Sequence, residues 1–224
     1  QPEFCDNGFV NARHLDDKAG VAALLAVARA CRESGAPLPV DCHLLFTISE
    51  EIGVGASHIL HGDVAELVSI DNGTIAPGQN TCEYGVTVAM QDSSGPFDWH
   101  LTRHLLALCR EHAIEHSRDV FRHYRSDAAA AVEAGNDIRT ALACFALDAS
   151  HGYERTHVDS LMALADLLYV YVCSEPLFRR DAMKLGPVAD FPQPPPAPGQ
   201  PSADPAIADQ APPRQPGGES LTRA

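Results

Sequence analysis

Apolar residues along this chain fall into helical and extended patterns that alternate. Val21, Leu24, Leu25, Ala28 and Cys31 recur at helical spacing within 18–34, which predicts an amphipathic helix stopped by Gly35 and Pro37. Asp16 and Asp17 open it, where capping and the helix dipole favour acids. A β-rich run at about 41–48 predicts a buried strand leading to Glu50 and Glu51, and 54–61 reads as a short helix with His58 and His61 on its surface. ELVSI at 66–70 predicts a strand ending on Asp71, before the turn-rich NGTIAPGQN. The alternation over 83–91 predicts another strand. Residues 98–113 predict a helix capped by Asp98, and His100, His104, His112 and His116 read as surface positions. A strand near 118–124 leads to Ser126 and Asp127, which cap an Ala-rich helix ending at Gly135. IRTALACFA at 138–146 predicts a buried strand. The loop LDASHGYERTH follows, then an amphipathic helix over about 158–174. Strands alternating with helices predict an α/β sandwich layered α-β-α.

The flanks lack this order. Residues 1–13 are polar and irregular, and after about Gly186 the chain holds most of its 17 prolines and almost no periodic apolar positions. The expected organisation is therefore an irregular stretch at 1–13, a catalytic α/β domain at 14–178 and a Pro-rich disordered tail at 179–224, a passive tail or a proline-rich docking ligand.

Composition narrows the function classes. At 224 residues and 45% hydrophobic, the chain can bury one sizeable core. No apolar run reaches the ~18 residues of a membrane helix, and the start shows neither a basic n-region nor an apolar h-region, so no signal peptide and no membrane association are expected. The start also lacks an initiator Met, which places the expected true start upstream of Gln1. The net charge of −14 argues against nucleic acid as a partner and is compatible with a metal site, since hard and borderline cations take carboxylates. Seven cysteines without a CxxC pair do not make a disulfide framework. Cys31, Cys42, Cys144 and Cys173 sit in apolar stretches and are expected as buried reduced thiols. A cytoplasmic protein is the expectation.

The candidate chemistry sits at element ends, where ligands bind in open α/β sheets. Asp16 opens a helix, Glu50 and Glu51 end a strand, Asp71 ends a second strand, and His151 lies in the loop after a third. Four carboxylates and an imidazole so placed suit two divalent ions ~3.5–4 Å apart. In extended backbone Glu50 and Glu51 point to opposite sides, so one can bind metal while the other handles the proton of an attacking water. Plainer readings stand beside this: Asp16, Asp17 and Asp127 as helix caps, Asp71 as a turn former, His157 as a surface residue.

At these residues the chain resembles a known family. HLDDKAG, FTISEEIGVGAS, SIDNG, YRSDAAAAVEAG and SHGYERTH together resemble the co-catalytic metallopeptidases of the glutamyl and tetrahedral aminopeptidase family, metallopeptidase family forty-two. More narrowly they resemble the bacterial branch associated with the osmoprotectant N-acetylglutaminylglutamine amide system. The resemblance runs from about Asn11 to Glu175. It implies a zinc-peptidase-like three-layer α-β-α sandwich with a mixed central sheet, and two divalent ions, zinc or cobalt. Asp16 would bridge the two ions, with Asp17 behind it as a supporting catalytic residue. Glu50 would be the general base, Glu51 and His151 ligands of one metal, and Asp71 a ligand of the other. His157 is the reserve for His151, because this loop is one residue tighter than the family's His-x-x-x-Glu pattern. Ser126-Asp127-Ala128 matches an element expected to be mainly structural.

The family also carries a His-x-Asp motif well upstream, separated from DDK by a small domain that assembles the homo-oligomer and shapes the substrate pocket. This chain starts just before DDK, so the fold is expected to be N-terminally incomplete. The metal set Asp16, Glu51 and His151 would be whole, the other would keep Asp16 and Asp71, and His14 is the local candidate to compensate. The implied function is hydrolysis of N-terminal residues of short peptides by water activated between two metals. The alternatives are a non-catalytic family member or partner subunit binding at most one metal, and a related di-metal deacylase or amidase acting on acylated dipeptides.

Overall fold

The computed structural model describes residues 1–182 apart from Ile59 and His61. In chain order the elements are β1 (Glu3–Phe4), β2 (Phe9–Ala12), α1 (Leu15–Ser34), a 3₁₀ turn (Glu50–Ile52), β3 (Glu66–Thr74), β4 (Val86–Asp92), β5 (Gly95–Pro96), α2 (Trp99–Glu111), β6 (His116–Val120), α3 (Asp127–Glu133), β7 (Arg139–Leu147), β8 (Glu154–His157), α4 (Val158–Cys173) and a final 3₁₀ turn (Arg179–Ala182).

β7 is the centre of the main sheet. Its run Ala141–Leu147 is buried on both faces, as expected for a strand covered by two layers. β3 pairs with it in parallel and β4 antiparallel, and β6 pairs in parallel with the far side of β4. The sheet is thus mixed. One face packs Val86, Val88, Ala143 and Phe145 against α1, α2 and α4. The other packs Ala89, Leu142 and Cys144 against Phe97, Phe121 and Ala128 of α3. That is the expected α-β-α layering. A second sheet, β1-β2-β8, is antiparallel throughout.

The end signals in the sequence operate as chemistry requires. Asp98 accepts from the Leu101 N–H at 2.8 Å and Ser126 from Ala128 N–H, each cap worth about 1 kcal/mol. Gly35 ends α1 at φ 64°, a left-handed conformation open to glycine without Cβ strain.

Five expectations need correction. Residues 1–13 are not irregular: β1 and β2 pair there, and Phe9 lies opposite His157. The run 41–48 is not a strand, since none of its backbone groups joins a ladder among the described residues and Ile48 is fully exposed; an apolar β-former without a paired neighbour stays irregular. The expected helix over 54–61 is a series of turns as far as it is described, entered through Gly53, which ends the 3₁₀ turn at φ 79°. α1 buries Leu15, Ala19, Gly20, Ala23 and Val27, whereas Leu25 is exposed. Small residues let this helix pack closely, so its inner face is the one with little hydrophobic bulk. Of the four cysteines expected to be buried, Cys144 is, Cys31 and Cys173 are half-buried and Cys42 is exposed, and all seven cysteines are free thiols.

The folded contacts extend past residue 178: Arg139 pairs with Asp181 and covers the ring of Phe178. The expected Pro-rich tail lies, from residue 183 on, outside the described residues.

Candidate metal centre

The start of α1, the 3₁₀ turn after Ser49, the middle of β3 and the loop after β7 meet at one place. One donor atom each from Asp16, Glu51 and His151 lie within 4.8 Å of one another. His151 Nε2 is 3.2 Å from Glu51 Oε2 and 3.4 Å from Asp16 Oδ2. The Asp16 carboxylate is nearly buried, whereas His151 and Glu51 face solvent, so the trio has an open side.

Glu50 and Glu51 reach this place differently from expectation. They occupy a 3₁₀ turn, not a strand end. With about three residues per turn, their side chains diverge around the turn rather than to opposite faces of a sheet. Glu51 joins the trio, whereas Glu50 stays outside it. Burial, then Asp127, Glu51 and Asp16, push the Glu50 carboxyl up to about 7, against a lowering pull from His151.

Asp71 lies on β3 opposite Cys144. The Asn72 amide joins it to Asp16, donating to Asp16 Oδ2 at 2.9 Å and to Asp71 Oδ1 at 3.1 Å. Ser150 donates a further bond to Asp16 Oδ2 at 2.9 Å. Burial, then Asp16 and Glu50, raise Asp71 well above the usual carboxylate range. Asp17 is pushed up to about 9 by burial, then by Asp71 and Asp16, with a compensating bond from the Gly20 N–H. Its Oδ1 has no hydrogen-bond partner among the described residues. Crowded carboxylates with raised proton affinity and an orphaned buried oxygen are what a divalent cation relieves. Carboxylate and imidazole donors fit zinc or another borderline ion. On these observations the residues present fit the implied metals.

Two carboxylates, Glu154 and Asp127, act as staples. Glu154 is buried. One of its oxygens accepts from the Leu15 and Asp16 N–H groups and the other from the His151 N–H at 2.9 Å. It therefore fixes two members of the trio through their backbones. The signal available was its place three residues after His151, in a short β-forming run. Asp127 was read as a cap, but Ser126 takes that role. The Asp127 carboxylate accepts from Thr47 Oγ1 at 2.6 Å and Ala56 N–H at 3.1 Å, and so closes the loop that carries Glu50 and Glu51. Gly55 leaves room for this, since a Cβ there would collide with the Asp127 carboxylate.

The remaining candidates lie apart. His157 is buried between Phe9 and Tyr84. Its Nε2 donates to the Asn7 carbonyl and its Nδ1 accepts from the Asp159 N–H, capping α4. Both ring nitrogens are thus engaged, and the reserve role for His151 does not fit them. His14 takes the left-handed conformation at the head of α1 and is outside the trio.

Comparison with known proteins adds a family. A sequence model described as M42 glutamyl aminopeptidase matches residues 1–167. The chain is 41% identical over 172 residues to "Putative aminopeptidase YhfE" of Bacillus subtilis (strain 168), covering 77% of this chain and 50% of that protein. It thus spans about half the length of the curated relative it matches. Among solved structures, its fold is similar to the Pyrococcus horikoshii TET1 peptidase, with a TM-score of 0.65 and 21% identity over 77% of this chain and 52% of that one. It is similar also to an M18-family aminopeptidase from Thermotoga maritima, with a TM-score of 0.63 and 13% identity over 79% and 49% of the two chains.

Proposed function

The chain belongs to the M42 glutamyl aminopeptidase family, and on that premise we propose that it carries the metal centre of an aminopeptidase acting on short peptides. The observation that carries this reading is the convergence of Asp16, Glu51 and His151 beside a Glu50 whose proton affinity is near neutral. Asp16, Glu51 and His151 would hold one ion, and Asp16 with Asp71 the second, zinc or cobalt. When bound, such ions supply Lewis-acid polarisation of the scissile carbonyl and make the attacking water more acidic. The rest falls to the chain. Glu50 takes the proton of that water at its carboxylate and returns it to the leaving amine, a task suited to a group poised near the operating pH. Asn72 and Ser150 hold the Asp16 carboxylate in one orientation. Asp17 backs it from the buried side.

The wider reading follows the relatives. The Pyrococcus horikoshii TET1 peptidase can assemble into a tetrahedron or a large octahedral shell, which supports a homo-oligomer. Seven free thiols support a cytoplasmic site.

The test is metal content of the purified chain by elemental analysis, with hydrolysis of aminoacyl p-nitroanilides measured beside it. About two ions per chain, lost together with hydrolysis in Asp16→Ala and Glu51→Ala, is the expected result. Absence of bound metal after loading with zinc or cobalt overturns the reading. Cleavage of N-acetylated dipeptides in preference to those with a free N-terminus moves the activity to a deacylase.

A further inference from the structure

A second, oppositely charged place lies on β6 and the segment after it. A cavity of about 540 Å³ is bordered by Arg118, Val120, Arg122 and His123 on one side and by the turn Gly78–Asn80 on the other, with Met90 also in its wall. Its construction follows from the strand pattern. Asp119 is buried, so its neighbours Arg118 and Val120 on β6 point to the other side, and Arg122, two residues past the strand, is exposed beside them at the cavity. On β4 the register slips between Ala89, opposite Asp119, and Gln91, opposite Val120. The slip leaves Met90 without a partner on β6, and such a bulge re-aims a side chain.

The charge of this wall runs against that of the chain, whose net charge is −14. Two guanidiniums and an imidazole line the cavity together with one carboxylate, Asp119. That carboxylate is already engaged, accepting from the Asn80 N–H at 2.7 Å, the Gln79 amide at 3.0 Å and the Thr81 hydroxyl at 3.3 Å. No side chain of Arg118, Arg122 or His123 has a hydrogen bond or ion pair to a described residue, the Arg118 backbone being held in the ladder with β4. Guanidinium groups are planar forks that match oxyanions, and here two of them are left unpaired at the rim of one cavity.

We propose that this cavity is a binding site for a small oxyanion, a carboxylate or a phosphate, held by Arg118 and Arg122 with His123 at the rim. Met90 and Val120 give it an apolar wall for a short hydrocarbon stem. It uses none of the residues of the metal centre.

Calorimetric titration of the full chain tests this, with succinate and inorganic phosphate as probes and chloride at equal ionic strength as the reference. Saturable binding that falls roughly tenfold or more in Arg118→Gln/Arg122→Gln is expected, the effect of losing charge-assisted hydrogen bonds. The tighter probe names the ligand class. The paired Lys variant, which keeps charge but not the fork, is expected to fall between the two. Asp16→Ala separates anions held at the metals, because binding here persists in that variant. Thermal melting confirms that each variant folds. Heats no larger than those of chloride, or binding unchanged by the double substitution, overturn the proposal.

Discussion

The acidic centre and the basic cavity are built in opposite ways. Asp16, Glu51, Asp71 and His151 come from four separated stretches of chain, and other groups must hold them together against mutual repulsion. Glu154 and Asp127 do this through backbone N–H groups and a hydroxyl. Arg118, Arg122 and His123 come from one continuous segment, need no staple, and face solvent. Concentrating like charge in a buried place costs stability that a cation can return. Spreading it along an exposed segment costs almost nothing. The two places should therefore respond differently to mutation.

The largest effect is expected at Glu154. Glu154→Ala leaves the N–H groups of Leu15, Asp16 and His151 without their acceptor, a loss of about 3 kcal/mol or more. Urea unfolding of the metal-free chain reads the stability, and zinc titration reads the affinity. Both should fall. Lost stability with unchanged zinc affinity would show that Glu154 does not organise the trio. Asp127→Ala comes next. It frees the loop between Thr47 and Ala56 at a local cost of about 2 kcal/mol, so limited proteolysis should accelerate within 47–56 while the global unfolding midpoint moves less than for Glu154→Ala.

These staples mark the limit of what was legible in the sequence. Three of the acids stand beside a capping or chain-reversing signal, Asp16 at a helix start and Glu50 and Glu51 before Gly53, whereas Asp71, expected at a strand end, lies inside β3, which runs on to Thr74. The partners of these acids were not legible. Whether Glu154 faces solvent or two distant N–H groups depends on β8 pairing with β2, two runs of four residues with little hydrophobic pattern. The same pairing explains His157, which a local reading puts on the surface and the fold buries as a cap. α2 shows the opposite case: a strong capping residue, a long periodic run and an end within two residues of expectation. Where local chemistry decides, the sequence suffices. The run 41–48 has local propensity and no ladder, and there the expectation failed. The basic cavity was hidden for another reason, since Arg118 and Arg122, four residues apart in the sequence, signal exposure and say nothing of the turn at Gly78–Asn80 that walls it.

A smaller effect, with a change of sign, is expected at Asp71. Asp71→Asn removes one member of a repelling buried group, so the metal-free chain should gain about 1 kcal/mol while its zinc affinity falls. The pH dependence has the same origin. Carboxyls raised in the fold, Asp17 to about 9 and Glu50 to about 7, bind more protons folded than unfolded across that range. Stability of the metal-free chain should then be greatest near the unfolded carboxyl value of about 4 and decline as pH rises toward 9. Saturating zinc should flatten the decline. A metal-free chain whose urea midpoint rises over that window would contradict the crowding of charge at the centre.

The smallest effect is expected at Arg118. Its guanidinium has no partner among the described residues, so Arg118→Gln should change the unfolding free energy by no more than about 0.5 kcal/mol, the usual range for an exposed site. The same substitution in a chain with net charge −14 removes one of two unpaired cations from the cavity, so it should weaken succinate or phosphate binding while leaving melting and zinc affinity in place. That separation is the sharpest form of the contrast: at the acidic centre, stability and ligand binding are coupled through the same carboxylates, and at the basic cavity they are independent. A loss of several kcal/mol in Arg118→Gln would mean that the guanidinium holds the strand edge together rather than waiting for an anion.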